Sequence, residues 1–150
     1  MRPTRLTRVT VAVTGALIAT VVRMPSASAA ADGSNPVTTG CNATAITAES
    51  IVIRNGAGTA LAEVLLRYST SCRTAWTTVN GFLGSCQSNG NNCLYARVHR
   101  NSDNAELTNQ SNVGSTSVFT AQLNDANVTS YAHGCIYYNQ AWVCRQTASY

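Results

Sequence analysis

The chain has 150 residues, a length typical of one domain. Its ten basic residues are all arginines, and four of them lie in the first 23 residues. Six arginines face six carboxylates in the rest of the chain, which is therefore close to neutral. Proteins that bind nucleic acid or an anionic membrane need clustered positive charge, which this part of the chain lacks. We therefore expect neither of them as a partner.

The N-terminus has the three parts of a secretory signal peptide. Several arginines precede an apolar run over residues 9–22, and Ala27-Ser28-Ala29 supplies a small-residue cleavage site. A membrane anchor is the alternative, but the apolar run is well short of the roughly 20 residues that span a bilayer. We therefore predict a signal peptide over residues 1–29, a mature chain that starts at Ala30, and a secreted, extracellular protein without membrane contact after cleavage.

Six cysteines in a secreted chain predict disulfides, because the compartment is oxidising. Zinc is the competing interpretation. The spacing Cys86-x6-Cys93-x5-His99 does not match the short Cys-x2-4-Cys knuckle of structural zinc sites. We expect no metal and no cofactor.

Residues 30–40 are polar and predict an exposed lead-in, and residues 41–150 predict a single β domain. A strand is expected over residues 45–54, and the turn signal Asn55-Gly56-Ala57-Gly58 leads into a return strand over residues 59–68. One face of the return strand carries no charge and is the predicted core face, made by Ala62, Val64, Leu66 and Tyr68.

A Ser/Thr-rich corner follows the return strand. Ser71 can cap a single helical turn from Cys72 to Trp76, and the β-branched residues 77–79 make a longer helix unfavourable. Large aromatics mostly serve packing, so we predict that Trp76 fills the core. Its neighbours have structural partners available: Arg67 can pair with Glu63, and Arg73 with carbonyl groups of the corner.

The second half of the chain predicts further short strands. Residues 86–93 form a polar loop, residues 94–99 alternate as in a half-buried strand, and residues 101–114 predict a surface loop. Three more strands are expected, at residues 117–123, 128–131 and 136–143. Short strands with Gly and Asn turns indicate an all-β fold: a small disulfide-stapled sandwich or open barrel of about six to seven short strands with one short helical turn.

Residues 135–144 are symmetric about Asn139-Gln140 and predict a hairpin with a two-residue turn. In that register Tyr137 faces Trp142 and Cys135 faces Cys144. Two alternatives stay open: Gln140 is not the glycine that a tight turn prefers, so the loop can be longer, and Cys135 can pair with an earlier cysteine.

Several segments of the mature chain share the pattern of a known family. The segments are Asp32-Gly33-Ser34-Asn35-Pro36, Gly40-Cys41, Leu66-Arg67-Tyr68-Ser69, Cys72-Arg73, Ala75-Trp76 and, more weakly, Phe119-Thr120 with Leu123 and Asp125. They resemble the secreted actinobacterial domain of unknown function 2690. The resemblance implies a secreted or extracytoplasmic domain and no catalytic residues. Gln122 departs from the pattern, which leads one to expect methionine there.

The best-matched half of this resemblance contains Cys41 and Cys72, which we predict to form a disulfide. The two local pairs, Cys86–Cys93 and Cys135–Cys144, leave these two cysteines as partners. Such a long loop contributes more stability in the chain-entropy model than either short one.

Function follows less directly from the residues. Aromatic rings beside arginines can hold sugars, peptides or wall fragments, and the candidate binding residues are Arg67, Tyr68, Arg73, Tyr137, Tyr138 and Trp142. We therefore expect a non-catalytic binding module for an extracellular ligand: a cell-wall glycan, a peptide or a protein.

Two alternatives to a binding module remain. A small ribonuclease-like hydrolase would use a general base and acid such as Glu106 and His133, with Arg97 or Arg67 holding a phosphate, but no spacing brings these residues together. A secreted protease inhibitor would present the loop of residues 86–93 rigidly.

Overall fold

Two antiparallel sheets and one 3-10 turn make up the computed structural model, which describes residues 30–150. The predicted signal peptide lies outside these residues. The turn spans Cys41–Thr44. The strands are β1 Ala45–Arg54, β2 Ala60–Ser69, β3 Thr74–Gly81, β4 Leu94–Arg100, β5 Glu106–Gln110, β6 Ser117–Phe119, β7 Leu123–Asn124, β8 Ser130–Tyr138 and β9 Ala141–Gln146.

The first sheet has the order β1-β2-β3-β6, with β7 also paired to β3, and the second has the order β5-β4-β8-β9. The chain crosses to the second sheet after β3, returns for β6 and β7, and crosses again to place β8 between β4 and β9. This open sandwich confirms the predicted all-β class, with nine strands among the described residues where about six to seven were expected.

Alternation along the strands builds the core between the two sheets. The predicted core face of β2 is confirmed at Ala62, Val64 and Leu66, which are fully buried. The opposing sheet contributes every second residue of β4 and β8, because successive side chains of a strand point to opposite faces. These residues are Leu94, Ala96, Val98, Ala132 and Ile136.

The two sheets approach each other closely at Gly134 in the middle of β8. A Cβ atom built at this position would lie 2.6 Å from Val64 Cγ2 and 2.7 Å from Val79 Cγ2. Both valines are β-branched and stiff at χ1, so neither can swing aside without cost. Glycine at 134 therefore sets the spacing of the sandwich at this point.

Gly134→Ala is expected to lower the free energy of unfolding by about 1–3 kcal/mol, because overpacking forces side chains off their rotamers or pushes the backbone. Urea denaturation measures the loss. Gly56→Ala is the matched control, since a Cβ there meets nothing within 4 Å. Equal stabilities for the two variants would contradict the close approach of the sheets.

The predicted helical turn at residues 72–76 is wrong. Residues 70–73 form a tight turn in which Arg73 has φ 53°, and β3 begins at Thr74, paired with Ser69. The β-branched residues that follow fit the pleated surface of a sheet better than a helix. The helical turn of the fold lies instead at Cys41–Thr44.

Two later expectations also need correction. The predicted surface loop over residues 101–114 contains β5, which pairs along β4 from Tyr95↔Gln110 to His99↔Glu106. The predicted strand over residues 117–123 is divided into β6 and β7, because Gln122 exchanges backbone hydrogen bonds with the lead-in: its N–H donates to Ser34 O (3.0 Å), and its carbonyl accepts from Gly33 N–H (2.9 Å).

The cysteines pair as Cys41–Cys72, Cys86–Cys93 and Cys135–Cys144, with Cα–Cα distances of 5.6, 4.1 and 4.1 Å. This is the predicted connectivity, and Cys135 takes its hairpin partner rather than an earlier cysteine. The first disulfide joins the start of the 3-10 turn to the β2–β3 corner, and the other two lie at the second sheet.

Candidate functional site

The outer face of the second sheet gathers polar and aromatic side chains that the core excludes. Since Leu94, Ala96 and Val98 point inward, their neighbours on β4 point outward, and the same alternation holds along β8. This face carries both histidines of the chain and three of its six tyrosines. Its principal residues are Tyr95, Arg97, His99, Glu106, Tyr131, His133, Tyr137 and Trp142.

One end of this face is aromatic. The β8–β9 hairpin has the predicted register, with Tyr137 opposite Trp142 and Cys135 opposite Cys144. Asn139 and Gln140 have φ 49° and 63°, so the two-residue turn forms without glycine. The rings of Tyr137 and Trp142 meet edge to face with centroids 5.4 Å apart, and Trp142 remains 45% exposed.

A cleft of about 390 Å³ opens beside this aromatic pair. One wall is the disulfide-closed loop of residues 86–93, which is attached to β8 because Tyr137 N–H donates to Cys93 O (2.8 Å) and Asn92 N–H donates to Tyr137 O (2.9 Å). Gln110 and Trp142 also line it, and the same two residues line a second hollow that reaches Tyr95 and the Cys135–Cys144 disulfide. We call this region the aromatic cleft.

The middle of the face holds four ionisable residues, Arg97, His99, Glu106 and His133, which we call the polar cluster. Arg97 lies directly opposite His133 across β4 and β8, and His99 lies opposite Glu106 across β4 and β5. Glu106 Oε1 is 2.8 Å from His99 Nδ1 and 3.4 Å from Arg97 NH1. The His99 ring also stacks on Tyr131 with centroids 4.6 Å apart.

The surroundings of His133 favour its neutral form. Burial lowers the pKa of its imidazole below the ordinary value of 6.5, and the positive charge of Arg97 lowers it further, against a smaller opposing effect of Glu106. His133 Nδ1 and Arg97 Nε are both buried and have no hydrogen-bond partner among the described residues. Buried polar atoms without a partner are unusual in native proteins.

The structure brings together only two of the predicted binding residues, Tyr137 and Trp142. Tyr138 points inward and packs against the core. Tyr68 lies near Tyr150, with ring centroids 5.5 Å apart, and Arg73 donates to Asn127 Oδ1 (2.7 Å).

Arg67 and Trp76 belong to the outer face of the first sheet. Arg67 donates to Thr47 Oγ1 and to Ala45 O, so the predicted pair with Glu63 is wrong; Glu63 accepts from Asn80 instead. Trp76 is 2% exposed and buried as predicted, but it lies outside the cluster between the sheets. These residues stabilise the fold rather than forming the candidate site.

Sequence reasoning missed the polar cluster as a unit. The alternation over residues 94–99 does place Arg97 and His99 on one face. Glu106 was expected in a loop, and the pairing of β4 with β8, which puts His133 beside Arg97, has no local signal. The sequence did not show which strands are neighbours, and the pairing of β5, β4 and β8 brings these residues together.

Two other charged groups serve the architecture. Arg100 donates to both carboxylates of Asp32 and Asp103, and this ion pair lowers the pKa of Asp103 to about 2. Asp125 is buried and accepts from Ser130 Oγ (2.7 Å), and burial raises its pKa to about 6.

His133 also lies near two sulfur atoms, of Cys135 and Cys144. Those sulfurs form a disulfide and are not thiolate ligands.

A family model described as "Protein of unknown function (DUF2690)" matches residues 29–133. The chain belongs to the DUF2690 family. The DUF2690 region contains the whole polar cluster, with His133 as its last matched residue, whereas Tyr137 and Trp142 follow it. No curated protein and no solved structure matches the chain. Among residues 30–150, no helix has the length and apolar character needed to cross a bilayer.

Proposed function

We propose that the chain is a secreted module that binds a ligand at the cell exterior through the aromatic cleft. The signal-peptide pattern of residues 1–29 supports export. Three disulfides agree with an oxidising compartment, where such bonds form and persist. The family description adds no activity that would point elsewhere.

The half-exposed Trp142 carries the binding proposal. Its ring is held against Tyr137, next to a disulfide, at the mouth of a cleft. Because β8 and β9 are cross-linked there, little side-chain or backbone freedom is lost when a ligand binds, which favours affinity. Tryptophan and tyrosine in such rigid positions are the residues that most often dominate binding energy.

The cleft fits a ligand that offers a flat ring or a sugar face together with hydrogen-bonding groups. Gln110 and the polar loop of residues 86–93 supply amides, hydroxyls and backbone groups around the aromatic pair. A cell-wall glycan, a peptide or an exposed segment of a protein has this chemistry. The loop of residues 86–93 acts here as a wall of the cleft.

Trp142→Ala is expected to weaken ligand binding by about tenfold or more, as for truncating a central aromatic contact. Calorimetric titration of the exported protein with soluble wall glycan fragments and with a peptide library measures the change. Phe82→Ala is the matched control, because Phe82 is similarly exposed, at 50%, and does not line the cleft. Undiminished binding by the Trp142 variant, with the wild type binding, would move the site elsewhere.

A further inference from the structure

We propose that the ligand of the aromatic cleft is an uncharged glycan chain, bound lengthwise along a groove of three adjoining hollows. Because it names the ligand class of the same cleft, the proposal rests on the proposed function. Three features support it: the continuity of the groove, the lack of charged side chains along its described lining, and two aromatic rings set two strands apart.

The aromatic cleft continues into a further hollow of about 350 Å³ beside the β8–β9 turn. This hollow shares Asn89 and Tyr137 with the middle hollow of about 390 Å³. The middle hollow shares Gln110 and Trp142 with a hollow of about 380 Å³ on its other side. Each has the size of a small ligand pocket. Together they form one continuous groove, which suits a chain of rings better than a single compact molecule.

The lining of this groove is uncharged. Among the described residues, none of those that line the three hollows carries a charge at neutral pH. Arg97 on β4 and Arg145 on β9 are close along their strands but line none of the three, and Arg97 lies 3.4 Å from the carboxylate of Glu106. A charged ligand would lose hydration in the groove without meeting an opposite charge, whereas an uncharged ligand avoids that cost.

Side-chain amides are the main polar groups of the groove. Within the part of the chain that the structure describes, five of the lining amides make no hydrogen bond to the protein: Gln87, Asn91, Gln110, Asn139 and Gln140. A carboxamide both donates and accepts hydrogen bonds, as do a sugar hydroxyl and an acetamido group. The polar lining therefore matches the hydrogen-bonding surface of an uncharged sugar chain.

Trp142 supplies a flat surface for stacking. It lines two of the three hollows and is 45% exposed. The loop of residues 86–93 supports its partner ring, since a Cβ built at Gly90 would lie 3.6 Å from Tyr137 Cδ1. One face of a sugar ring presents C–H groups with partial positive charge, which the negative face of an aromatic ring attracts.

A second aromatic ring makes the groove suitable for several sugar units. Tyr95 lines the hollow that also contains Trp142 and the Cys135–Cys144 disulfide. Tyr95 is on β4 and Trp142 on β9, with β8 between them. Neighbouring strands are about 4.7–4.9 Å apart, so the backbones of the two residues are separated by roughly 9–10 Å across the sheet. Successive sugars of one chain can therefore contact the two rings.

The test measures the affinity of the exported protein for N-acetylglucosamine oligomers, from the monomer to the pentamer, by calorimetric titration. The affinity is expected to rise about tenfold or more from the monomer to the pentamer, because further hollows become filled. It should change less than about twofold between about 0.05 and 0.5 M NaCl, because salt screens only interactions between charges. The cationic de-N-acetylated pentamer and the anionic galacturonate pentamer should each bind about tenfold or more weakly.

Gln110→Glu adds a charge to a residue shared by two hollows, with little change in shape, and should weaken binding of the neutral pentamer about tenfold or more. Gln146→Glu is the matched control. Gln146 is likewise exposed on the second sheet but lines none of the three hollows, so this variant should bind as the wild type does. Melting temperatures of both variants establish that they are folded.

Four results would overturn the proposal: no binding of any neutral oligomer, equal affinity for the charged pentamers, affinity that falls steeply with salt, or full binding by folded Gln110→Glu. Binding of a peptide that depends on Trp142, with no binding of the neutral oligomers, would overturn the ligand class alone and leave the cleft as the site. Neutral oligomers that bind Trp142→Ala as tightly as the wild type would remove the cleft as the site, and with it the proposed function.

Discussion

Replacing Trp76 with alanine is expected to lower the free energy of unfolding by about 3–5 kcal/mol, the usual cost of truncating a buried large aromatic. The unusual feature is where this residue is buried. Thr77 Oγ1 donates to Arg97 O of the opposite sheet (2.8 Å), so Thr77 points inward and its neighbour Trp76 points away from the core between the sheets. Trp76 is nevertheless only 2% exposed. Other parts of the chain must therefore cover the outer face of the first sheet at this point.

The lead-in is attached to the same face of β3 through Gln122. Thr74, on the same face of β3, donates to Gln122 Oε1 (2.8 Å). Gln122 Nε2 in turn donates to Ser34 Oγ (2.9 Å) and Thr39 Oγ1 (3.1 Å). Gln122 stands where the family resemblance leads one to expect methionine. Its side-chain amide accepts from β3 through Oε1 and donates to the lead-in through Nε2, so it links the two.

Chemical denaturation of Trp76→Ala, followed by far-UV circular dichroism, measures this loss. Trp142→Ala is the control for removal of an indole, because Trp142 is 45% exposed and should cost much less. A Trp76 variant that unfolds at the wild-type denaturant concentration yet loses ligand binding would show that Trp76 contacts the ligand and does not serve packing.

Removal of the Cys41–Cys72 disulfide is expected to have the second-largest effect. It closes a loop with a sequence separation of 31, against 7 and 9 for the other two disulfides. The chain-entropy model assigns about 3–4 kcal/mol to the long loop and about 2–3 kcal/mol to each short one. Loss of the first disulfide also frees the 3-10 turn, which is held at the corner by Thr44 Oγ1 hydrogen bonds to Ser69 and Ser71.

The double variants Cys41→Ala/Cys72→Ala and Cys86→Ala/Cys93→Ala avoid free thiols and allow a direct comparison of melting temperatures. The single variants Cys72→Ala and Cys86→Ala should rank in the same order. Equal decreases in melting temperature for the two disulfides would count against the long loop as the main cross-link.

Much of the fold could be predicted from local patterns. The β1–β2 hairpin, the core face of β2, the alternation along β4 and the register of the β8–β9 hairpin each depend on residues close together in sequence. The corner after β2 was misread because capping residues and a β-branched run gave competing signals, and cross-strand pairing decided for the strand.

Some residues of the candidate site are close together in sequence, and others meet only through long-range strand pairing. Tyr137, Trp142 and the Cys135–Cys144 disulfide belong to one hairpin, so the symmetry of a short segment predicts that they lie together, and the structure confirms that register. Glu106, Arg97 and His133 come from three strands, and their meeting depends on which strands become neighbours in the sheet. Trp76 shows the same limit: its size predicts burial, but only the tertiary structure decided that it is buried on the outer face of the first sheet and not between the sheets. Long-range pairing is set by the total burial of both sheets, which no short segment encodes.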